Sequence, residues 1–556
     1  MSKPPPNSPY AGRWVARLRN KIIAHGGTPK QALRAAKKSR PKEKPQITYM
    51  PIPLKLPPLL SDVVDALPAD QSLYLIGGAV RDLLLGRTSH DLDFGLSTDS
   101  LAIARKIANK IGAAYYPLDK ERGAARLVIV RDDGTRDVLD FAQFRGETLE
   151  EDLRGRDFTL NAIALDARSH KIYDPLGGVA DLRAKELHLC SPTGLSDDPI
   201  RILRAIRLAS NYDFKISPET RMAMKEASSG IQEASVERQR DEFFKILEGK
   251  QPYTALRALE MLGILHEIFP ELSVLKGTMQ SAPHVDDVWS HTLNTMRHLE
   301  SMLAALSPDY DSSKASEFHN GYLVVKLGRY RHKLAEHFSE TLTTDRSLYG
   351  LLFFAALYHD IAKPLVKKVG DGEKIRFWGH EVEGAEMIAE RARSLHLSND
   401  ETDRLRRIVR AHLRVHDMAK RMLTQREQDE RHARSLSPSR RTIYRFFRDT
   451  HEAGVDIILL SLADLRATYE HTLPEDLWEA ELDVVRILLE NYFERPEETV
   501  KPKSLLDGHE VMEAFDLRPS PKVGAVIEAI REAQATGEIG TREGALKFGE
   551  KWLEEN

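Results

Sequence analysis

The chain of 556 residues contains one cysteine, Cys190. A single thiol closes no internal disulfide, and no Cys-x-x-Cys pair exists to hold zinc, so the composition suits a reducing compartment. No run of ~18 apolar residues occurs, and the N-terminus lacks the short apolar core of a secretory signal. We therefore expect no membrane span and a cytoplasmic address. Acids are nearly missing from the first fifty residues, where Glu43 stands alone against Lys3, Arg13, Arg17, Arg19, Lys21, Lys30, Arg34, Lys37, Lys38, Arg40, Lys42 and Lys44. Residues 1–50 read as a basic flexible arm with a short helix over 14–23, and clustered cations of this kind attract RNA phosphates without regard to sequence. The formal net charge of the whole chain is only −3, which excludes a protein that is basic throughout. At roughly 150 residues per domain, several domains are expected.

What is present begins with the run Leu73-Tyr74-Leu75-Ile76-Gly77-Gly78-Ala79-Val80-Arg81-Asp82-Leu83-Leu84-Leu85-Gly86. A short apolar strand feeds a glycine pair, and one to two helical turns follow, ended by Gly86. Glycine at such a turn lets the backbone approach a phosphate, and Arg81 adds a cationic fork. Asp91-Leu92-Asp93 comes next, and in a strand residues i and i+2 share a face. Two carboxylates side by side repel unless a cation lies between them, so the stretch reads as a metal-dependent nucleotidyl transfer site.

Helical periodicity over 101–111 and β-rich runs over 126–130 and 138–144 make residues 59–166 a small α/β domain. Asp140 lies inside the last run, where it faces a metal or partner, or sits on an edge strand in water. In the run 151–162, Asp152 with Arg156 and Asp157 with Asn161 are one helical turn apart. Such rows can grip a nucleotide, or simply form a salt-bridged surface. From Asp198-Pro199 a helix opens in which Arg201, Arg204 and Arg207 share one arc opposite Ile202, Ala205 and Ile206. Aimed at a cleft, that arc holds a triphosphate or a base edge; aimed outward, it is solvated.

Taken in order, Gly77-Gly78-Ala79-Val80-Arg81-Asp82, Asp91-x-Asp93, Arg156-Asp157-Phe158-Thr159-x-Asn161-Ala162, Tyr173-Asp174-Pro175-x-Gly177-Gly178 and Asp198-Pro199-x-Arg201-x-x-Arg204-Ala205-x-Arg207 resemble the class II C-C-A-adding tRNA nucleotidyltransferase and bacterial poly(A) polymerase family. The resemblance implies that Asp91 and Asp93 hold two Mg²⁺ ions, with Asp140 a candidate third acid. It implies that Gly77, Gly78 and Arg81 contact nucleotide phosphates and that Arg156, Asp157 and Asn161 line the sugar and phosphate side. Asp198 and Arg201 would select the base, and Arg204 and Arg207 would support the triphosphate. The implied partners are the tRNA 3′ end, CTP and ATP. Three departures stand out: Gly155 replaces the first of two family arginines, Asp197 replaces a glutamate, and only Gly146-Glu147-Thr148 separates Arg145 from the run at 149–153, where many C-C-A-adding members carry a long loop. That short connection keeps C-C addition open beside C-C-A addition, with poly(A) synthesis a further alternative.

Beyond residue 283, His291, His359-Asp360, Gly379-His380, His412 and Asp464 resemble an HD-domain phosphohydrolase. Adjacent His and Asp suit a transition metal or Mg²⁺. His291, His359, Asp360 and Asp464 match its four-ligand signature, with His380 and His412 where a second ion's ligands often sit; the metal's identity is left open. We thus expect an α+β nucleotidyltransferase domain with a small mixed sheet (51–190), an all-α neck (191–283), an all-α HD domain (284–480, with an insertion at about 307–347) and a C-terminal helical RNA-binding segment (481–556). The charged stretch 421–441 is expected to be exposed. A hydrolase whose N-terminal half merely binds RNA is the reading from a different class.

Overall fold

The computed structural model describes residues 9–19, 21–51, 54–131, 134–311, 317–343, 346–428 and 437–556. They fall into two units, Met1–Ala234 with Leu262–Ile264, and Ser235–Met261 with Leu265–Asn556.

The first unit opens with a correction. Residues 13–19 and 21–50 are folded: β1 (Arg13–Leu18), β2 (Lys21–Gly26) and β3 (Gln46–Met50) form an antiparallel sheet in the order β2-β1-β3. The expected helix over 14–23 is instead the hairpin of β1 and β2. Between β2 and β3 runs the helix Pro29–Ser39, capped by the Thr28 hydroxyl, which accepts from the Gln31 N–H. Trp14, Val15 and Ala16 are buried, as are Ala32 and Ala36 of the helix. Charge count misled here because most of the cations stay exposed while Trp14, Val15 and a few alanines supply a small core. Lys3 lies outside the described residues.

A seven-stranded sheet follows: β4 (Tyr74–Ile76), β5 (Asp91–Leu96), β6 (Ala114–Asp119), β7 (Ala124–Val130), β8 (Arg136–Gln143), β9 (Ala164–Asp166) and β10 (Ile172–Tyr173), in the order β10-β9-β4-β5-β8-β7-β6. Only β5 and β8 run parallel; the other pairs are antiparallel. Parallel neighbours need a long crossover, and it contains the helix Ser100–Ile111, which packs on β7 and β8 through Ile103, Ala104, Ile107 and Ala108. Along β5 and β8, Leu92, Phe94, Leu139 and Phe141 are buried, and the rings of Phe94 and Phe141 stack with centroids 4.9 Å apart.

The basic module is fixed to the far edge of this sheet. The Trp14 indole N–H donates to the Ile172 carbonyl at 3.0 Å, the Asp174 N–H to the Gly27 carbonyl at 3.0 Å, and Arg183 to the Ala11 carbonyl at 3.0 Å. A Cβ at Gly27 would stand 1.5 Å from the Asp174 carbonyl oxygen, so only glycine permits this seam.

The second unit is helical, with two short strand pairs at 341–347 and 368–376. Its centre is the helix Leu348–Tyr358, buried almost throughout, and the helix Gly454–Tyr469. Within the stretch expected as an insertion, the helices Phe318–Leu327 and Arg331–Ser339 bury Leu323, Leu327, Leu334 and Phe338; 312–316 and 344–345 lie outside the described residues. Of the charged stretch at 421–441, residues 421–428 close the helix Arg414–Gln428, 429–436 lie outside the described residues, and the helix Arg440–Thr450 begins at its end. The last three helices, Gly508–Ala514, Pro521–Thr536 and Arg542–Glu555, gather around Leu506, Val511, Val526 and Ile530. Among the described residues, no helix is long and apolar enough to cross a membrane.

Gly27→Ala should loosen the N-terminal module at a cost of about 1–3 kcal/mol, the usual penalty for overpacking. Hydrogen exchange would show this as faster exchange of β1 and β2 amides, with the seven-stranded sheet still protected.

Candidate functional site

The register of β5 and β8 sets Asp93 opposite Asp140 and Phe94 opposite Phe141. Since alternate residues face opposite sides, the pairing that stacks the rings also brings Asp91, Asp93 and Asp140 to one face. Asp93, on the open face of the sheet, is raised above the usual carboxylate range by the desolvation of its crowded surroundings, then by Asp140 and Asp91, with Arg156 opposing. Asp140 is not on an edge strand: β8 lies between β5 and β7, and both its oxygens accept from Arg126 of β7, at 2.8 and 2.9 Å. This crowd of acids, held on a rigid sheet, fits a divalent cation at Asp91 and Asp93, with Asp140 partly neutralised beside them.

β4 leads into Gly77, whose φ of +71° favours glycine, and then into the helix Gly78–Leu84. A Cβ at Gly77 would lie 3.1 Å from Arg156 Nη1 and 3.5 Å from Asp93 Oδ2, so the glycine turn, Arg156 and the acidic face converge. Arg156 follows the helix Leu149–Arg154 rather than lying within it, yet Asp152, four residues back, still accepts from its Nε and Nη2 at 3.2 and 3.0 Å. Leu153 packs with Ile76, Ala162 and Ala164, which ties this segment to the end of β4.

Arg81 is buried and fully engaged. It donates to Asn161 Oδ1 at 2.8 Å, to both Asp82 oxygens at 3.0 and 3.1 Å, and to the Tyr212 hydroxyl at 2.7 Å. These bonds tie Arg81 to Asn161, Asp82 and Tyr212, whereas the sequence reading gives it a contact with phosphate. Asn161, in a 3-10 turn, donates to Asp157 Oδ1 at 3.0 Å, and Arg204 donates to Asp157 Oδ2 at 2.9 Å. Burial alone would raise the Asp157 carboxyl, but Arg204, Asn161 and the Phe158 N–H hold it below the usual range. Arg201 donates to the Gly155 and Arg156 carbonyls at 3.0 and 3.2 Å and lies 3.8 Å from Asp198. Arg201, Arg204 and Arg207 share the half-buried arc of the helix Ile200–Tyr212, so the row faces the protein. Cys190 is pushed up to about 12 by burial and by Asp157, an inert thiol.

In the second unit the helices Val288–Ala305, Leu348–Tyr358, His380–Ser394, Asn399–Ala411 and Gly454–Tyr469 bring six expected ligands together. His291 Nε2 lies 3.3 Å from Asp360 Oδ2 and 2.9 Å from Asp464 Oδ1, and His359 Nε2 lies 3.2 Å from Asp360 Oδ2. On the other oxygen of Asp360, His380 Nε2 is at 3.3 Å and His412 Nε2 at 3.9 Å. Among the described residues two triads have ligand atoms within 4.8 Å of one another, His291-His359-Asp360 and Asp360-His380-His412; Asp360 belongs to both.

The hydrogen bonds orient this cluster. His359, His380 and His412 donate Nδ1–H to the carbonyls of Ala356, Phe377 and Val409 at 2.8, 2.7 and 2.6 Å. A carbonyl only accepts, so each Nδ1 carries a proton and Nε2 is the atom that each ring presents to the centre. Nε2 atoms then approach at 3.3 Å between His359 and His291 and at 3.4 Å between His380 and His412, an arrangement suited to cations. Burial opposes charge on His359, yet Asp360 and Asp464 raise it to about 10, while burial with His380 and His359 lowers His412 to about 3. The residues fit two divalent ions sharing Asp360. A cavity beside them is lined by His284, Lys363, Arg376, Trp378, Lys420 and Tyr469.

Sequence reading missed Tyr212 and Arg126 in the first unit, and it gave Asp82 no role of its own. In the second it missed His416, whose Nε2 meets Asp464 Oδ2 at 3.0 Å and whose Nδ1 meets the buried Glu481 at 2.8 Å. Only the spacing His412-x-x-x-His416 offered a signal.

Family models match the poly A polymerase head domain at residues 73–188, a probable RNA and SrmB-binding site of polymerase A at 213–275 and the HD domain at 329–446. A fourth match, at 8–52, is to a family of unknown function. The chain is 31% identical over 487 residues to the A-adding tRNA nucleotidyltransferase of Deinococcus radiodurans, spanning 86% of this chain and 95% of that one. It is 30% identical over 484 residues to the CC-adding tRNA nucleotidyltransferase of Thermus thermophilus, spanning 86% and 93%. The solved Thermotoga maritima CCA-adding enzyme complexed with tRNA is similar with a TM-score of 0.51 at 19% identity, covering 89% of this chain and 94% of that one, a likeness of fold. The families matched at 73–188 and 329–446 use divalent metals.

Asp360→Ala should strip the histidine cluster of all bound metal, whereas His412→Ala should remove about half. Elemental analysis of the dialysed proteins distinguishes the two; equal metal content in both would contradict a shared Asp360.

Proposed function

Because the chain belongs to the tRNA nucleotidyltransferase family, we propose that it extends the 3′ end of tRNA without a template, adding C and A from CTP and ATP. The observation that carries this is the β5–β8 register, which puts Asp91, Asp93 and Asp140 on one face beside the Gly77 turn and Arg156. We assign magnesium to Asp91 and Asp93; when bound, it supplies a lowered pKa for the attacking 3′-hydroxyl and charge neutralisation at the departing pyrophosphate.

The chain's own groups orient the reactants, and positioning with charge stabilisation supplies most of such catalysis. Gly77 keeps the space beside Asp93 clear of a side chain, and Gly78 does so beside the Arg81 guanidinium, so that phosphates reach the acidic face. Arg156 lies next to that space and presents positive charge to it, while Asp152 holds it in place. Arg81 fixes Asn161, and Asn161 and Arg204 fix Asp157, so that a sugar meets a preset row of donors and acceptors. Asp198 and Arg201 present the edge that chooses the base, with Arg207 beside them for the triphosphate.

A second reading, addition of C-C alone, rests on the connection between β8 and the helix Leu149–Arg154. Only residues 144–148 join them, and the Thr148–Glu151 capping box closes the turn. So short and tied a segment has little freedom to rearrange between successive nucleotides. The two relatives above are themselves named for single steps, one A-adding and one CC-adding.

For the histidine cluster we propose metal-dependent hydrolysis of phosphoesters, with Lys363 and Lys420 lining the approach. Among the described residues, the two triads of that centre are built from the second unit.

On tRNA lacking its 3′ end, with Mg²⁺, CTP and ATP, the protein should extend the RNA, and Asp91→Ala with Asp93→Ala should lower the rate by at least about a thousandfold, as expected when charge stabilisation at the reacting centre is removed. A ladder ending two nucleotides on, even with ATP present, selects the C-C reading; no extension at all overturns both. His359→Ala should abolish phosphoester cleavage and leave the ladder unchanged.

A further inference from the structure

The module at residues 9–51 is the part of the first unit that nucleotide transfer leaves unexplained. It carries eleven Lys and Arg against the single acid Glu43, although the whole chain is net −3. Arg19, Lys21, Lys30, Arg34, Lys37, Lys38, Arg40, Lys42 and Lys44 are exposed. Of these nine, among the described residues, only Arg40 is ion-paired, to Glu43 at 3.4 Å, and an exposed pair of that kind contributes little. On the helix Pro29–Ser39, Ala32 and Ala36 face inward while Lys30, Arg34, Lys37 and Lys38 stay exposed. Steps of four, three and one residues put those four cations on one arc of about 100°.

Position distinguishes this patch from a solvated tail. Trp14, Gly27 and Ala11 bind the module to β10 and the segment after it, through the buried indole and three backbone carbonyls, and Gln31 adds a hydrogen bond to the Pro175 carbonyl. β10 is three strands from β5, roughly 14 Å at the usual strand spacing. The seam that fixes this cationic module thus lies three strand spacings from the strand of Asp91 and Asp93. An RNA whose 3′ end occupies that acidic face has its terminal duplex next to it, and such a duplex is gripped through phosphates and shape.

We propose that this module is a backbone clamp for the duplex of the substrate tRNA, its helix cations contacting phosphates without reading sequence. The inference rests on the tRNA-extension reading above. It gives a role to the segment that matches a family of unknown function, and it names the partner by charge: a double-stranded RNA backbone.

The test compares wild type with Lys30→Gln, Arg34→Gln, Lys37→Gln and Lys38→Gln combined, glutamine being a good helix former. Wild type must first extend truncated tRNA; if it does not, the function reading falls and takes this inference with it. Given extension, tRNA affinity at moderate salt should drop at least about tenfold in the variant, and the slope of log affinity against log salt should become shallower by up to about 3.6, near 0.9 for each of the four phosphates that the variant no longer neutralises. KM for tRNA should rise while kcat holds, and a short single-stranded acceptor should be extended equally by both proteins. Replacing Lys30, Lys37 and Lys38 by arginine should retain affinity, which separates charge from folding. Unchanged tRNA affinity and salt slope in the glutamine variant, or an equal fall in affinity in the glutamine and arginine variants, would overturn the clamp.

Discussion

The pairing of Phe94 with Phe141 across two parallel strands is the contact on which the transfer site depends. Sliding β8 by one residue against β5 would exchange its two faces, burying Asp140 and unstacking the rings. Apolar packing on one side of the sheet thereby enforces an unfavourable arrangement on the other. Carboxylates on neighbouring strands, about 5 Å apart, repel by roughly 3 kcal/mol at an effective dielectric near 20. Arg126 and Arg156 offset part of this, and a divalent cation suits the remainder. The phenylalanine stack is what holds the acids in a geometry they would not choose.

Around that crowded face, the arginines do two different jobs. Arg81 is committed to Asn161, Asp82 and Tyr212 and keeps other groups in place. Arg156 and Arg204 each grip a carboxylate, Asp152 and Asp157, and Arg201 holds two carbonyls. A guanidinium with most of its donors taken by several partners stiffens its neighbours, whereas one held along a single edge presents its charge to a ligand. The histidine cluster follows the same rule with imidazole: Nδ1 is bound to the chain's own backbone, and Nε2 is kept for the centre.

Much of this is legible in the sequence. Motifs such as Gly77-Gly78, Asp91-x-Asp93 and His359-Asp360 combine local geometry with chemistry, so a few adjacent residues suffice to place them. Asp140 is ambiguous there because its partner, Arg126, is chosen by strand order, which no local pattern records. Tyr212 and Glu481 are invisible for a related reason: each acts through a residue more than sixty positions away, Arg81 and His416 respectively. The N-terminal segment reads as an arm because composition outweighs pattern. Alternation in β1 and β2 is short, and Lys and Arg at outward positions are as compatible with a small sheet as with a solvated tail.

The two centres also differ in how far they depend on their setting. Every candidate residue for nucleotide transfer lies between Gly77 and Tyr212, in the first unit, and every histidine-cluster ligand lies between His291 and Asp464, in the second. The transfer site is an exposed face: Asp91 and Asp93 stand at the surface, so reactants as large as a tRNA end can approach, and their position must come from elsewhere on the unit. The cluster is the opposite. His291, His359, Asp360 and His412 are almost wholly inaccessible, so its geometry is set by helix packing, and the cavity lined by Lys363, Arg376 and Lys420 gives the approach to it. An open site that must hold a macromolecule benefits from added binding surface outside the reacting atoms. That contrast explains why a separately folded, cation-rich module is attached to the sheet of the first unit, where it can act on the part of the substrate that the acidic face leaves uncovered.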